Sequence, residues 1–370
     1  MMKHIKKPLA ILLLVFPFLS YAQKKISDKD KSSTIESIKE LIHANYVFEH
    51  KTAYFNRSLD SLNATGKYEG VKDYQAFADI LTEDLIAITK DKHFKIQYNP
   101  DLVQSRRRRL EASQQAEEEE TEVETEETNA EEEIDWNYWY AQKKNFGFEK
   151  VEVLGGNIGY IKYTFFQPLS WAESTIDATM RFVANTDALI IDLRENQGGY
   201  SPTDSYLASH FFDENATLWM SSYERRLDET DSVLTFQDVG GERYVDKSVF
   251  ILVSENTFSL AERFAYGLKH FGKAIIIGEA SAGAAHAIDF MEVNENYLIQ
   301  LPIIRSVHPV TKIDWEGTGV IPDIETSNEE ALRTAHLMAL NEQIEALQSR
   351  TIVGPILERY EKIKMELSKR

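Results

Sequence analysis

The chain has 370 residues, 43% hydrophobic and 11% aromatic, which is enough for about two domains with a sizeable core. A formal net charge of −19 argues against nucleic acid and anionic lipid as partners. With no cysteine, disulfides, a thiol nucleophile and thiolate metal sites are excluded.

Lys3, Lys6 and Lys7 precede an apolar run over residues 9–19 and then Ser20-Tyr21-Ala22, the pattern of a secretory signal peptide (residues 1–22) cut after Ala22. The run is too short for a comfortable membrane span, and no other stretch approaches the length needed. The expected product is exported, periplasmic or extracellular, with no stable membrane insertion. Losing three lysines would take its charge from −19 to −22.

Residues 23–100 read as a small helical domain. Ile35, Ile38, Leu41 and Ile42 fall on one helical face with Ser33 as the expected cap, and Phe77, Ile80, Leu81, Leu85 and Ile88 repeat the pattern. Asp91-Lys92-His93 breaks the second helix, and residues 94–98 alternate as a half-buried strand. His93 is expected at that junction on the polar side, with Lys95 and Gln97. Residues 101–144 carry four arginines and then a long Glu/Thr run, and are expected to form a disordered acidic insertion.

The core, residues 145–327, alternates strands with helices. Strands are expected at 157–163, 188–194, 249–253, 274–277 and 297–304, with helices at 170–184, 203–212 and 259–270. This pattern predicts an α/β layer. Residues 328–370 read as amphipathic C-terminal helices.

Two stretches could carry chemistry. Ser259 stands where a turn becomes a helix, beside first-turn N–H groups and the positive end of the helix dipole, which suits an oxyanion. Ser259-Leu260-Ala261-Glu262 is equally the S-x-x-E capping box of an ordinary helix start. Asp192-Leu193-Arg194-Glu195-Asn196-Gln197-Gly198-Gly199 closes a buried strand, where ligands bind in open α/β sheets, and its glycines allow close backbone approach. It also reads as a tight turn with a structural Asp–Arg pair. Neither G-x-G-x-x-G nor G-K-[ST] occurs, so nucleotide binding is unsupported.

Taken in order, Gly159-Tyr160-Ile161, Asp192-Leu193-Arg194-x-Asn196-x-Gly198-Gly199, Thr257-Phe258-Ser259-x-Ala261-Glu262, Gly278-Glu279-x-x-x-Gly283 and Gly319-Val320-x-Pro322-Asp323 resemble the tail-specific (C-terminal processing) serine peptidases. Within that family they more resemble the branch containing the tricorn protease core and the interphotoreceptor retinoid-binding protein. The resemblance implies a β/α spiral core of the ClpP/crotonase-like kind, a polypeptide or peptide substrate, and no cofactor or metal. It implies Ser259 as nucleophile and an oxyanion hole from Leu260 and from Gly198 or Gly199. The lysine base of the processing peptidases is replaced by Ala284, so the implied base is His93, supported by Glu316. His286 is the alternative base, and Ser281 a lesser hydroxyl candidate. The interval between residues 98 and 145 is too short and acidic for the PDZ domain usual in processing members. The competing expectation is a catalytically weak or inactive protein that binds apolar ligands or peptides on the same fold.

Overall fold

The computed structural model describes residues 25–119, 136–348 and 354–369. The expected signal peptide and most of the acidic run lie outside the described residues. Three helices come first: α1 (Asp28–Asn45), α2 (Glu49–Ala64) and α3 (Tyr74–Thr89). α1 starts from Ser27 rather than the expected Ser33. The Ser27 hydroxyl accepts the Asp30 N–H (3.1 Å), and the Asp30 carboxylate accepts the Ser27 N–H, which closes a capping box. α3 ends where Lys90 turns left-handed (φ 63°), and Asp91-Lys92-His93 leads into β1 (Lys95–Tyr98).

Both ends of the expected disordered insertion are helical: α4 (Pro100–Glu119) and α5 (Trp136–Lys143). Val103 is buried, Arg106 donates to the Phe290 carbonyl (2.9 Å), and Arg107 pairs with Glu292. Arg, Gln, Ala and Glu are strong helix formers, so a run too polar for a core still holds a helix against a neighbouring strand.

The core continues with β2 (Phe148–Leu154), β3 (Ile158–Tyr163), α6 (Leu169–Val183), β4 (Ala188–Asp192), α7 (Thr203–Ser209), β5 (Leu218–Glu224) and β6 (Glu229–Leu234). Then come β7 (Ser248–Val253), α8 (Leu260–His270), β8 (Ile275–Gly278), β9 (His286–Glu292), β10 (Tyr297–Val307) and β11 (Ile324–Glu325). Two helices close the chain, α9 (Asn328–Gln348) and α10 (Gly354–Leu367).

Six strands form one sheet in the order β11-β8-β7-β4-β3-β2, parallel except for the β2–β3 pair. Alternate residues serve opposite faces. Leu189, Ile191, Val249 and Ile251 pack with α6, α7 and α8, while Ala188, Ile190, Phe250 and Leu252 pack with Ala331, Ala335 and Ala339 of α9. Covering both faces is why β4 and β7 are unbroken apolar runs. Because β4 and β7 are parallel neighbours, the loops leaving their carboxyl ends lie side by side.

The second sheet is antiparallel, ordered β1-β10-β5-β6, with β9 also paired to β10. β10 contributes Tyr297, Ile299, Leu301 and Ile303 to a core shared with Ile35, Ile38, Phe77 and Leu81 of α1 and α3. The helical segment is therefore not closed on itself. It is completed by a strand from the far half of the chain, and the register Lys95↔Gln300 fixes Asp91 and His93 against that half.

Candidate active site

Past β7 the chain makes a turn pinned to the β4 loop. The Thr257 hydroxyl donates to the Leu193 carbonyl (2.8 Å), the Ser254 hydroxyl to the Arg194 carbonyl (2.6 Å), and the Phe258 N–H to the Asn196 carbonyl (3.0 Å). Ser259 emerges with φ 53° and ψ −118°, a conformation that is costly for a residue with a Cβ. It is the N-cap of α8, and its side chain is half-buried.

Glu262 braces this turn. Its carboxylate accepts the N–H groups of Ser259 (2.9 Å), Gly283 (2.6 Å) and Ala284 (2.9 Å) and the Ser281 hydroxyl (2.6 Å). Burial pushes the carboxyl up to about 7, against the pull of those four donors. The capping-box reading of Ser259 through Glu262 is thus met in its carboxylate half, and that cap holds the strained turn. Ser281 also accepts the Val320 N–H (2.6 Å), so its hydroxyl ties the Gly283 loop to Glu262 and Val320. Glu262→Gln would set an amide N–H₂ against backbone donors. We expect a loss of about 2–3 kcal/mol in urea unfolding, with no change in m-value.

The glycine loop lies against the same turn. Asn196 is fully buried; its side-chain carbonyl accepts the Gly198 N–H (2.8 Å) and its N–H₂ donates to the Tyr163 carbonyl (2.9 Å). Gly198 has φ 89°, and a Cβ there would sit 2.9 Å from the Leu260 nitrogen and 2.9 Å from the Ser259 Cβ. Only glycine allows that approach. Arg263, one turn into α8, clamps the chain after the glycines: its Nε donates to the buried Asp204 (2.7 Å) and its Nη2 to the Ser201 hydroxyl (2.9 Å).

Opposite the serine stands a buried cluster centred on Asp91. Its Oδ2 is 2.6 Å from His286 Nδ1, and its Oδ1 accepts the His93 N–H (3.0 Å) and lies 3.3 Å from His93 Nδ1. Glu316 accepts the Ala285 N–H (2.7 Å) through Oε2, which is 3.5 Å from His286 Nδ1. Its loop is anchored by the Trp315 indole, which donates to the Ala284 carbonyl (3.1 Å). His93 is 2% exposed rather than on a polar face, its ring edge-on to Phe258 at 4.9 Å. His286 and Ser259 line one cavity of about 30 Å³ with Leu260, Arg263 and Trp315.

Burial would raise Asp91, but the His286 hydrogen bond and the nearness and charge of the His286 and His93 rings outweigh it and hold the carboxyl below its ordinary range. Burial opposes charge on His286, yet the Asp91 hydrogen bond and the charges of Asp91 and Glu316 lift it above its ordinary 6.5. Burial, then the Asp91 charge, pushes Glu316 up to about 7.

The fold therefore gathers Ser259, Leu260, Gly198, His93, His286 and Glu316 from distant segments. Asp91, Asn196 and Arg263 are the parts that sequence reasoning left without a role. Asp91 carried one local signal, an Asp two residues before His93 able to accept its N–H.

Residues 157–326 match the model of peptidase family S41, and residues 26–135 match that of the N-terminal domain of S41 peptidases in eukaryotic IRBP. The chain is 28% identical over 169 residues to carboxyl-terminal-processing peptidase 2, chloroplastic, of Arabidopsis thaliana, covering 45% of this chain and 31% of that protein. It is 21% identical over 177 residues to the carboxyl-terminal-processing protease of a Picosynechococcus species, covering 48% and 41%. It thus spans well under half the length of these relatives. A lipoprotein from Streptococcus agalactiae shares the fold over 87% of this chain and 97% of its own (TM-score 0.50, 16% identity). So does a Parabacteroides merdae protein described as a peptidase, over 82% and 92% (TM-score 0.52, 17% identity).

Proposed function

This chain belongs to peptidase family S41, and on that premise we propose that it is an exported serine endopeptidase cleaving unfolded polypeptides, with Ser259 as nucleophile. The observation that carries the reading is the buried Asp91 carboxylate, shared by two imidazoles on the side of the strained Ser259 turn. Export rests on the leader pattern of residues 1–22.

In this reading an imidazole takes the Ser259 proton as Oγ attacks the scissile carbonyl, then returns it to the leaving amine. The oxyanion is met by the Leu260 N–H and by one from the glycine loop. The Gly198 N–H is engaged by Asn196, so Gly199 is the proposed loop donor. His93 is the proposed base, supported by Glu316 as the family resemblance implies, with Asp91 Oδ1 3.3 Å from its Nδ1. A second reading assigns the proton to His286, which lines the cavity with Ser259 and presents Nδ1 to Asp91, leaving Nε2 for the hydroxyl.

The test is kcat/KM on an unfolded protein substrate from pH 5 to 9 for the wild type, His93→Ala and His286→Ala. With His93 as base, His93→Ala should fall by ~10³ or more and His286→Ala by ~10–10². The reverse order gives the base to His286, and the acid limb of the wild type then lies above 6.5, because that imidazole must lose a proton it holds more tightly than usual. If neither variant loses rate, the peptidase reading fails.

A further inference from the structure

Asp91, His93 and Glu316 each offer one donor atom, and the three atoms lie within 4.8 Å of one another. The Asp91 and His93 side chains are 1% and 2% exposed. Among the described residues, neither ring nitrogen of His93 has a hydrogen-bond partner, nor does Glu316 Oε1. Unpaired polar atoms at this depth are costly, and a cation would give the His93 ring and Glu316 Oε1 a partner.

We propose that Asp91, His93 and Glu316 form an inhibitory site for a divalent cation of the zinc class. Zinc bonds of ~2.0–2.2 Å to nitrogen and oxygen give tetrahedral donor separations of ~3.3 Å. Asp91 Oδ1 and His93 Nδ1 already stand 3.3 Å apart. The remaining gaps, at most 4.8 Å, close by torsional shifts of the side chains. One imidazole and two carboxylates, with water completing the shell, is a donor set that zinc accepts. The outer contacts also suit ligation. The Ala285 N–H fixes Glu316 Oε2 (2.7 Å) and leaves Oε1 for the ion, while His286 Nδ1 holds Asp91 Oδ2 (2.6 Å) and the His93 N–H orients Oδ1 (3.0 Å), which keeps a second lone pair. A bound ion would occupy the imidazole lone pair and the carboxylates that hold it. Inhibition is the only part that rests on the peptidase reading; binding stands without it.

The experiment uses EDTA-dialysed full-length protein titrated with Co²⁺, read by its visible d–d absorption, and with Zn²⁺, read by calorimetry. One ion per chain is expected in both the wild type and Ser259→Ala. Affinity should fall at least ~10-fold in Glu316→Gln and in His93→Ala. Glu316→Gln is isosteric and lies on a loop, so circular dichroism can confirm its fold independently. Zinc should suppress wild-type hydrolysis, and EDTA should restore it. Affinity unchanged in both variants would place the ion on other histidines and overturn the proposal, as would no binding at all. If Ser259→Ala keeps full hydrolysis but the Co²⁺ spectrum responds to both variants, the assignment of Ser259 as nucleophile falls and the metal site stands.

Discussion

Ser259→Ala is expected to slow hydrolysis of an unfolded protein by ~10³-fold or more, leaving only the residual acceleration that the oxyanion donors and binding supply. The substitution removes one oxygen and little else. The Glu262 bond to the backbone of residue 259 is a main-chain contact and survives, and the Cβ that meets Gly198 is retained. Stability should therefore barely change. Ser259→Gly separates chemistry from strain. Its activity should be lost equally, but φ 53° with ψ −118° costs glycine little, so unfolding should become harder by ~1 kcal/mol. A loss of rate with the opposite sign on stability would show that the backbone is held away from its minimum for the hydroxyl's sake. Hydrolysis by Ser259→Ala at the wild-type rate would end the assignment of the nucleophile.

The parts legible in the sequence are those set by local pattern. β4 and β7 were readable because helices cover both faces, which forces unbroken apolar runs, and α8 because Ser259 and Glu262 spell a helix start. β2, β5, β6 and β9 leave no strand signal in the sequence. They are antiparallel strands whose residues are mostly exposed or half-buried, so no strong alternation marks them. The error over His93 has the same origin. Lys95 and Gln97 do lie on the more exposed side of β1, but His93 precedes the strand and is covered by Phe258 from the distant nucleophile turn. The helical segment looked like a domain because its own helices are amphipathic; the residues completing its core, Tyr297 to Ile303, lie two hundred positions away. In α4 net charge favours disorder and helix propensity favours order, and propensity prevails.

Asp91→Asn should lower kcat by ~10²–10⁴ at neutral pH while leaving KM nearly unchanged. The asparagine carbonyl can keep the His93 N–H contact, which places its N–H₂ where Oδ2 now receives His286 Nδ1. Two donors would then face each other unless His286 carries its proton on Nε2, the nitrogen turned from Asp91. The imidazole pair would lose both its anchor and its preferred tautomer. With the carboxylate gone, the strongest support for the charged imidazole is lost, only the Glu316 and Asp314 charges still oppose burial, and the His286 NMR titration should move down. The linkage follows with a definite sign. A raised histidine pKa gives stability that is complete below 6.5 and is lost as pH rises through the folded value. The stability gap between wild type and Asp91→Asn should therefore be widest near pH 5–6 and narrow toward pH 9. A residue with a purely architectural role would give a gap independent of pH over that range and an unmoved His286 titration. Either result would return the two imidazoles to separate accounts, and Asp91 could no longer be the group that organises them.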